Sequence, residues 1–308
     1  MAKNIFFLIF LVLCGICPLQ SDTIITETTS YNDNIVITKE TFDKVWFYFK
    51  VDTSRTPQSV PTGKIKKIIR EEPIHYQAAE GAMKAGAYQR AAEAYERCAQ
   101  SQDWTEQHCL FKIGLCYQNL GRISKAVDAY ERLLKKFPDT FYKAQASFNI
   151  GHCYMAQKKW RSAYEALSDA AKLYEQIEQK DEWLIANYWI GFVGEKGNQH
   201  KLALDRYGMV IRQGKNLPEW TSKAKLRSGF CYLETKDHQE AKRMFLSLIE
   251  EVSFKNQEII GGAYTGMGGY YFATRKIKEA LLCYLRVIML YSDRSEERRV
   301  GKECRSRW

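Results

Sequence analysis

The sequence predicts a mainly α fold, an α-solenoid of about six helix-turn-helix repeats preceded by a small β unit. Three observations carry this. An alanine recurs at Ala91, Ala126, Ala163, Ala203, Ala241 and Ala280, at intervals of 35, 37, 40, 38 and 39 residues. That is close to the roughly 34-residue period of a two-helix repeat with slightly longer loops. Twelve residues before it stands a glycine in five copies (Gly114, Gly151, Gly191, Gly229 and Gly268), with Ala79 in the first. Four residues after it comes a large side chain in every copy: Tyr95, Tyr130, Leu167, Tyr207, Phe245 and Tyr284. The glycine belongs to the first helix of each pair, helix A, and the alanine and large residue to the second, helix B. Small residues let two helices approach, and the large side chain plugs the remaining volume.

The elements follow in chain order. Lys3, an apolar run from Ile5 to Cys17 and a polar exit predict a secretory signal peptide over residues 1–21, cleaved after Leu19-Gln20-Ser21. The run falls short of the about 20 residues of a membrane-spanning helix. Leu13 before Cys14 and Ile16 before Cys17 are not the small residues that lipid attachment requires. Residues 22–73 are rich in β-branched and aromatic side chains with alternation, broken by turn signals such as Pro61-Thr62-Gly63. They predict a β unit of three to five strands, too small to bury much core alone and therefore expected to dock on the first repeat. Trp46 and Phe47 fall on opposite faces of it. Residues 74–293 form the array. Its second copy, Cys109 to Pro138, reads as two amphipathic helices, and Tyr117, Tyr154, Tyr232 and Tyr271 stand one helical turn after the glycine. The fourth copy has Gly194 there instead. Residues 294–308 break the pattern with charge.

Six copies in register resemble the tetratricopeptide repeat family from Glu72 to Tyr291. The junction Pro138-Asp139-Thr140 resembles that of bacterial envelope proteins of the outer-membrane assembly and Tol-Pal accessory type, and Gln58 to Ile69 resembles a small β domain that precedes helical repeats in some envelope proteins. The tail from Arg294 to Trp308 resembles the translation of a short-read sequencing adapter, so it is set aside as a scar. On that reading the array is truncated, since no polar-faced terminal repeat follows Tyr291. The resemblance implies an exported, periplasmic or envelope-associated scaffold that binds a protein or peptide.

The formal net charge of +10 is mild for 308 residues and falls further without Lys3 and the tail. Basic residues come in scattered pairs such as Lys135-Lys136 and Lys158-Lys159, a solvated helix face and not a nucleic-acid stripe. Of nine cysteines, Cys116, Cys153 and Cys231 share one repeat position and read as core filler. Cys98 and Cys109 flank one interhelical loop, and in an exported chain a disulfide between them stays open.

No catalytic constellation emerges. His75, His108, His152, His200 and His238 are single and far apart, without metal spacing. The glycines of "GGAYTGMGGYY" read as close helix packing and not as a nucleotide loop. The expectation is a non-enzyme without cofactor or metal. Its working face would be the concave one, at positions three before and one after the glycine: Phe111 and Leu115, Phe148 and His152, Tyr188 and Phe192, Leu226 and Phe230, with Tyr76 and Glu80 in the first copy. Such an aromatic groove fits apolar or amphipathic segments of a partner. The alternatives are a structural, self-associating module, or the repeat domain of a larger chain.

Overall fold

The structure is a computed structural model that describes residues 22–290 apart from 27, 53, 71, 102–103, 252–255 and the side chains of 32–34. The signal-peptide and adapter-like segments lie outside the described residues.

Five antiparallel strands, β1 (Asp22–Thr26), β2 (Ser30–Glu40), β3 (Lys44–Phe49), β4 (Gln58–Pro61) and β5 (Ile65–Ile69), form one sheet in the order β4-β3-β2-β1-β5. Alternation buries Ile24, Ile35, Ile37, Val45, Phe47 and Val60 on one face. Trp46 lies on the other, half-buried, with the Lys44 ammonium 5.9 Å from its ring centroid.

Twelve α-helices follow among the described residues: α1 (Ile74–Lys84), α2 (Tyr88–Cys98), α3 (Thr105–Asn119), α4 (Ile123–Lys136), α5 (Lys143–Ala156), α6 (Trp160–Gln176), α7 (Lys180–Lys196), α8 (His200–Gln213), α9 (Pro218–Glu234), α10 (His238–Glu251), α11 (Gln257–Ala273) and α12 (Ile277–Leu290). None is long and apolar enough to cross a membrane. Odd-numbered helices are A helices and even-numbered ones B helices. The chain separates into two compact units, with the division between Asn149 and Ile150 inside α5 and residues 176–178 counted with the first.

The glycine column does what its spacing predicts. A Cβ on Gly151 would lie 2.6 Å from Leu167, one on Gly191 2.8 Å from Tyr207, and one on Gly229 2.5 Å from Phe245, so each plug occupies the space that the glycine leaves open. Three of the tyrosine plugs also donate their hydroxyl to the A helix: Tyr95 to Glu80 at 2.6 Å, Tyr130 to Gln118 at 2.5 Å and Tyr207 to Glu195 at 3.0 Å. Gln118 and Glu195 stand four residues after their glycines. Where the plug is Leu167 or Phe245, that position holds Met155 or Leu233, and in the sixth copy it is Phe272.

Each A helix ends in the same way. The residue seven after the glycine column takes a left-handed conformation, Gly86, Gly121, Lys158, Asn198, Lys236 and Arg275, with φ from 57° to 71°. The following N–H then donates to the carbonyl five residues back at 2.7–3.0 Å, a Schellman closure repeated six times.

The sheet docks on the second repeat, which corrects the expected docking on the first. Thr41 pairs with Thr140 in an isolated bridge, the Phe42 N–H donates to the Asp139 carbonyl at 2.9 Å, and Phe141 packs against the sheet core. The Pro138-Asp139-Thr140 junction is not helical, so its backbone groups remain available to the β2–β3 turn; a helix has none to offer along its middle. Cys98 and Cys109 are both buried and unbridged, and the Cys98 sulfur faces the Thr105 hydroxyl at 3.5 Å.

Candidate functional site

The nine residues expected on the concave face divide by repeat position. Three residues before the glycine column, Tyr76, Phe111 and Tyr188 are buried. Their rings lean one turn back along the helix and meet the plugs, at centroid distances of 5.8 Å for Tyr76–Tyr95, 5.7 Å for Phe111–Tyr130 and 5.5 Å for Tyr188–Tyr207. These three are core residues and present no surface to a partner. Leu226 at the same position is half-buried against the Ala263 and Phe245 cores, and Phe148 is half-buried. One residue after the glycine, Leu115, His152, Phe192 and Phe230 are all half-buried. Phe230 is held against Phe245 at 5.3 Å.

In the second unit, His152 of α5, Trp189 and Phe192 of α7 and Trp220 of α9 form a connected set of rings. Trp189 lies 4.6 Å from His152, 5.5 Å from Phe192 and 6.1 Å from Trp220, each edge to face. Cations lie over these rings: Lys223 is 4.8 Å from the Trp220 centroid, Arg227 5.1 Å and Lys196 5.3 Å from that of Phe192. Glu195 pairs with Arg227 at 3.2 Å. Burial works against the charge of Arg227, yet Glu195, Tyr188 and Tyr207 together outweigh it and hold the guanidinium above its ordinary pKa. Burial alone pushes His152 down to about 4, so its ring is neutral near pH 7 and acts as an aromatic. Sequence reasoning missed Trp189, Trp220, Lys196, Lys223 and Arg227. A signal existed for two of them: Trp189 and Arg227 stand two residues before their glycines, the position of Lys112 and Asn149 in the first unit.

The first unit carries a different constellation. Glu40, at the end of β2, pairs with Arg70 at 2.7 Å, and its other oxygen lies 2.9 Å from His108 Nε2 of α3. Nδ1 of His108 lies 2.7 Å from the Tyr142 hydroxyl, which can donate to or accept from it. Arg70 also donates to the Ile37 carbonyl at 3.0 Å and covers Trp104 at 4.2 Å. Burial acts to raise the Glu40 pKa, but the His108 and Arg70 contacts outweigh it and hold the carboxyl below its usual range. This cluster is a latch between sheet and array. Burial pushes the Cys116 thiol up to about 11 and that of Cys231 to about 12, so both are unreactive core groups. Among the described residues no group of three or more His, Cys, Asp or Glu could hold a metal ion.

A model of the tetratricopeptide repeat family matches residues 108–140 and 223–253, which are α3–α4 and α9–α10 with their flanking turns. These two helix pairs match the tetratricopeptide repeat. Two solved structures share the fold. BtubC (BKLC) from P. vanneervenii aligns at a TM-score of 0.55 and 14% identity, over 71% of this chain and 91% of that one. The apo form of the quorum sensor NprR from B. thuringiensis aligns at 0.57 and 13%, over 70% and 63%. A third, YrrB, described as a TPR protein with an unusual peptide-binding site, aligns at 0.49 and 18%, over 68% and 99%. No curated protein sequence matches the chain. At these identities the likeness concerns the tetratricopeptide fold alone.

Proposed function

We propose that this tetratricopeptide array is an exported protein-interaction scaffold of the cell envelope, and that its second unit holds an apolar or amphipathic segment of a partner protein on the His152, Trp189, Phe192 and Trp220 rings. The observation that carries the binding surface is the half-exposed ring set with cations above it. Tyr76, Phe111 and Tyr188 meet a plug and are buried, whereas Trp189, Phe192 and Trp220 are half-buried, with Trp189 and Trp220 resting on Tyr188 and on each other. Large rigid rings of this kind act as anchors at interfaces. Arg227 and Lys223 are already paired with Glu195 and Glu219, so binding depends weakly on salt. Fold and repeat type favour a scaffold over an enzyme.

A photo-crosslinking residue placed at Phe192 tests the surface. It is expected to trap a defined partner that the same residue at exposed Asp205 does not, and Phe192→Ser combined with Trp220→Ser should lose that partner while melting stays cooperative. Equal trapping at both positions would count against the reading. Export rests on Lys3 and the Ile5 to Cys17 run; mass spectrometry of the mature N-terminus should find Asp22, and an intact Met1 would contradict it.

A further inference from the structure

The tyrosine plugs do more than fill volume. Tyr95, Tyr130 and Tyr207 are fully buried, yet each hydroxyl reaches a polar group on its own A helix. The residue two before the glycine column of the next A helix then completes the set. In the first unit, Lys112 lies 3.0 Å from the Glu80 carboxylate that accepts from Tyr95, and the Asn149 amide donates to the Tyr130 hydroxyl at 3.1 Å. In the second unit, Arg227 of α9 donates at 3.2 Å to the Glu195 carboxylate of α7 that accepts from Tyr207. After the apolar plugs Leu167 and Phe245, which have no hydroxyl, the corresponding residue is Trp189 or Gly266.

At Glu195 this arrangement meets the ring surface. One oxygen accepts the hydroxyl of Tyr207, which the core holds in place, so the other is aimed at Arg227. That second oxygen also lies 3.7 Å from the Lys196 ammonium, and both cations stand over the Phe192 ring. Gln118 and Asn149 satisfy the Tyr130 hydroxyl without any charge. A neutral amide is therefore enough to seat a tyrosine plug, and the charge of Glu195 serves the cations.

We propose that Glu195 is a positioning residue of the ring surface: it holds the Arg227 guanidinium over Phe192 with its charge matched, and so makes this surface prefer uncharged apolar side chains to acidic ones. The inference rests on the reading of these rings as a partner-binding surface. Without the carboxylate, Arg227 and Lys196 lie uncompensated beside an apolar ring, a setting that attracts an anion carried on an apolar group.

Two fluorescent probes that share one ring system test this, the anionic 1-anilinonaphthalene-8-sulfonate and the neutral N-phenyl-1-naphthylamine. Binding at the ring surface is the part lost when Phe192→Ser and Trp220→Ser are added to the purified protein. Glu195→Gln should raise the affinity of the sulfonate there about tenfold, the scale of one hydrogen bond to a charged group, and leave the neutral probe unchanged. The gain should fade as salt is raised. Glu195→Gln combined with Arg227→Asn copies the Gln118 and Asn149 arrangement and should bring the sulfonate back toward its wild-type affinity. Arg227→Asn alone should weaken the sulfonate and not the neutral probe. A role confined to packing would change both probes alike. That result, or an unchanged ratio of the two affinities in Glu195→Gln, overturns the proposal and leaves the ring surface standing. If Phe192→Ser and Trp220→Ser remove neither probe from the wild type, the ring-surface reading fails and takes the proposal with it.

Discussion

Both halves of the molecule place a cation over an aromatic ring on the A-helix side, but they use it differently. In the first unit Arg70 covers Trp104 and comes from the segment after the sheet, bringing with it the Glu40 carboxylate, whose side chain is only 1% exposed. In the second unit Lys223 and Arg227 lie over Trp220 and Phe192 from within the array, and these rings are half-buried, as Trp104 is. The first surface is therefore already engaged by the chain's own sheet and serves folding. In the second, the cations over the rings come from the array itself. A ring surface in a repeat array is thus structural or functional according to what covers it, and the ring alone does not say which.

The largest test of this comparison lies under both surfaces. Tyr130→Ala in the first unit and Tyr207→Ala in the second should each cost about 3–5 kcal/mol in denaturant melts, as fully buried large-to-small changes. Tyr284→Ala should cost clearly less because its ring is partly exposed. Equal costs at all three would refute the plug assignment.

Next comes the latch. Glu40→Gln leaves the largely buried Arg70 with only the more distant Asp22 carboxylate, 3.7 Å away, and should destabilise the first unit by about 2–3 kcal/mol. The folded pKa of Glu40 lies below its usual 4.5, so its contribution is fully present above that value and is lost as pH falls through the lower folded one. Melting midpoints of the wild type should drop in that acid range more steeply than those of the variant. Parallel curves would remove Glu40 from the account.

His152 gives the second unit its own acid response. With the folded pKa depressed from 6.5 to about 4, the unfolded chain binds the proton first. Its stabilising effect is complete above 6.5 and declines as pH falls from there to about 4. His152→Phe should flatten the stability profile in that window while Glu40→Gln leaves it unchanged. The same slope in both variants would merge the two regions that the structure separates.

The smallest effect has the opposite sign. Lys236 holds a left-handed conformation where the first two copies have Gly86 and Gly121, so Lys236→Gly should stabilise by about 0.5–1 kcal/mol, net of the extra chain freedom of glycine. A destabilised variant would show that the lysine side chain makes compensating contacts.

Glycine, alanine and plug were legible because they belong to one helical hairpin, where contact follows from spacing along two adjacent helices. The same holds for the strands, whose alternation separates Phe47 from Trp46. Periodicity assigns a residue to a helix face, but it says nothing of what lies above that face. Hence Tyr76, Phe111 and Tyr188 were expected at a surface and turned out to be core, each closed off by a plug ring. Trp189 and Trp220 escaped notice for the related reason that they become neighbours only when α7 and α9 pack.

The sequence by itself determined the repeat, its register, the small β unit and the helix pairs, because each depends on residues close together in the chain whose size and polarity must match locally. The tertiary structure alone decided which of the expected surface rings are buried, and that the sheet is latched to the second repeat through Glu40, Arg70 and His108. These are contacts between distant segments, and their outcome depends on which surface arrives to exclude water from a given side chain.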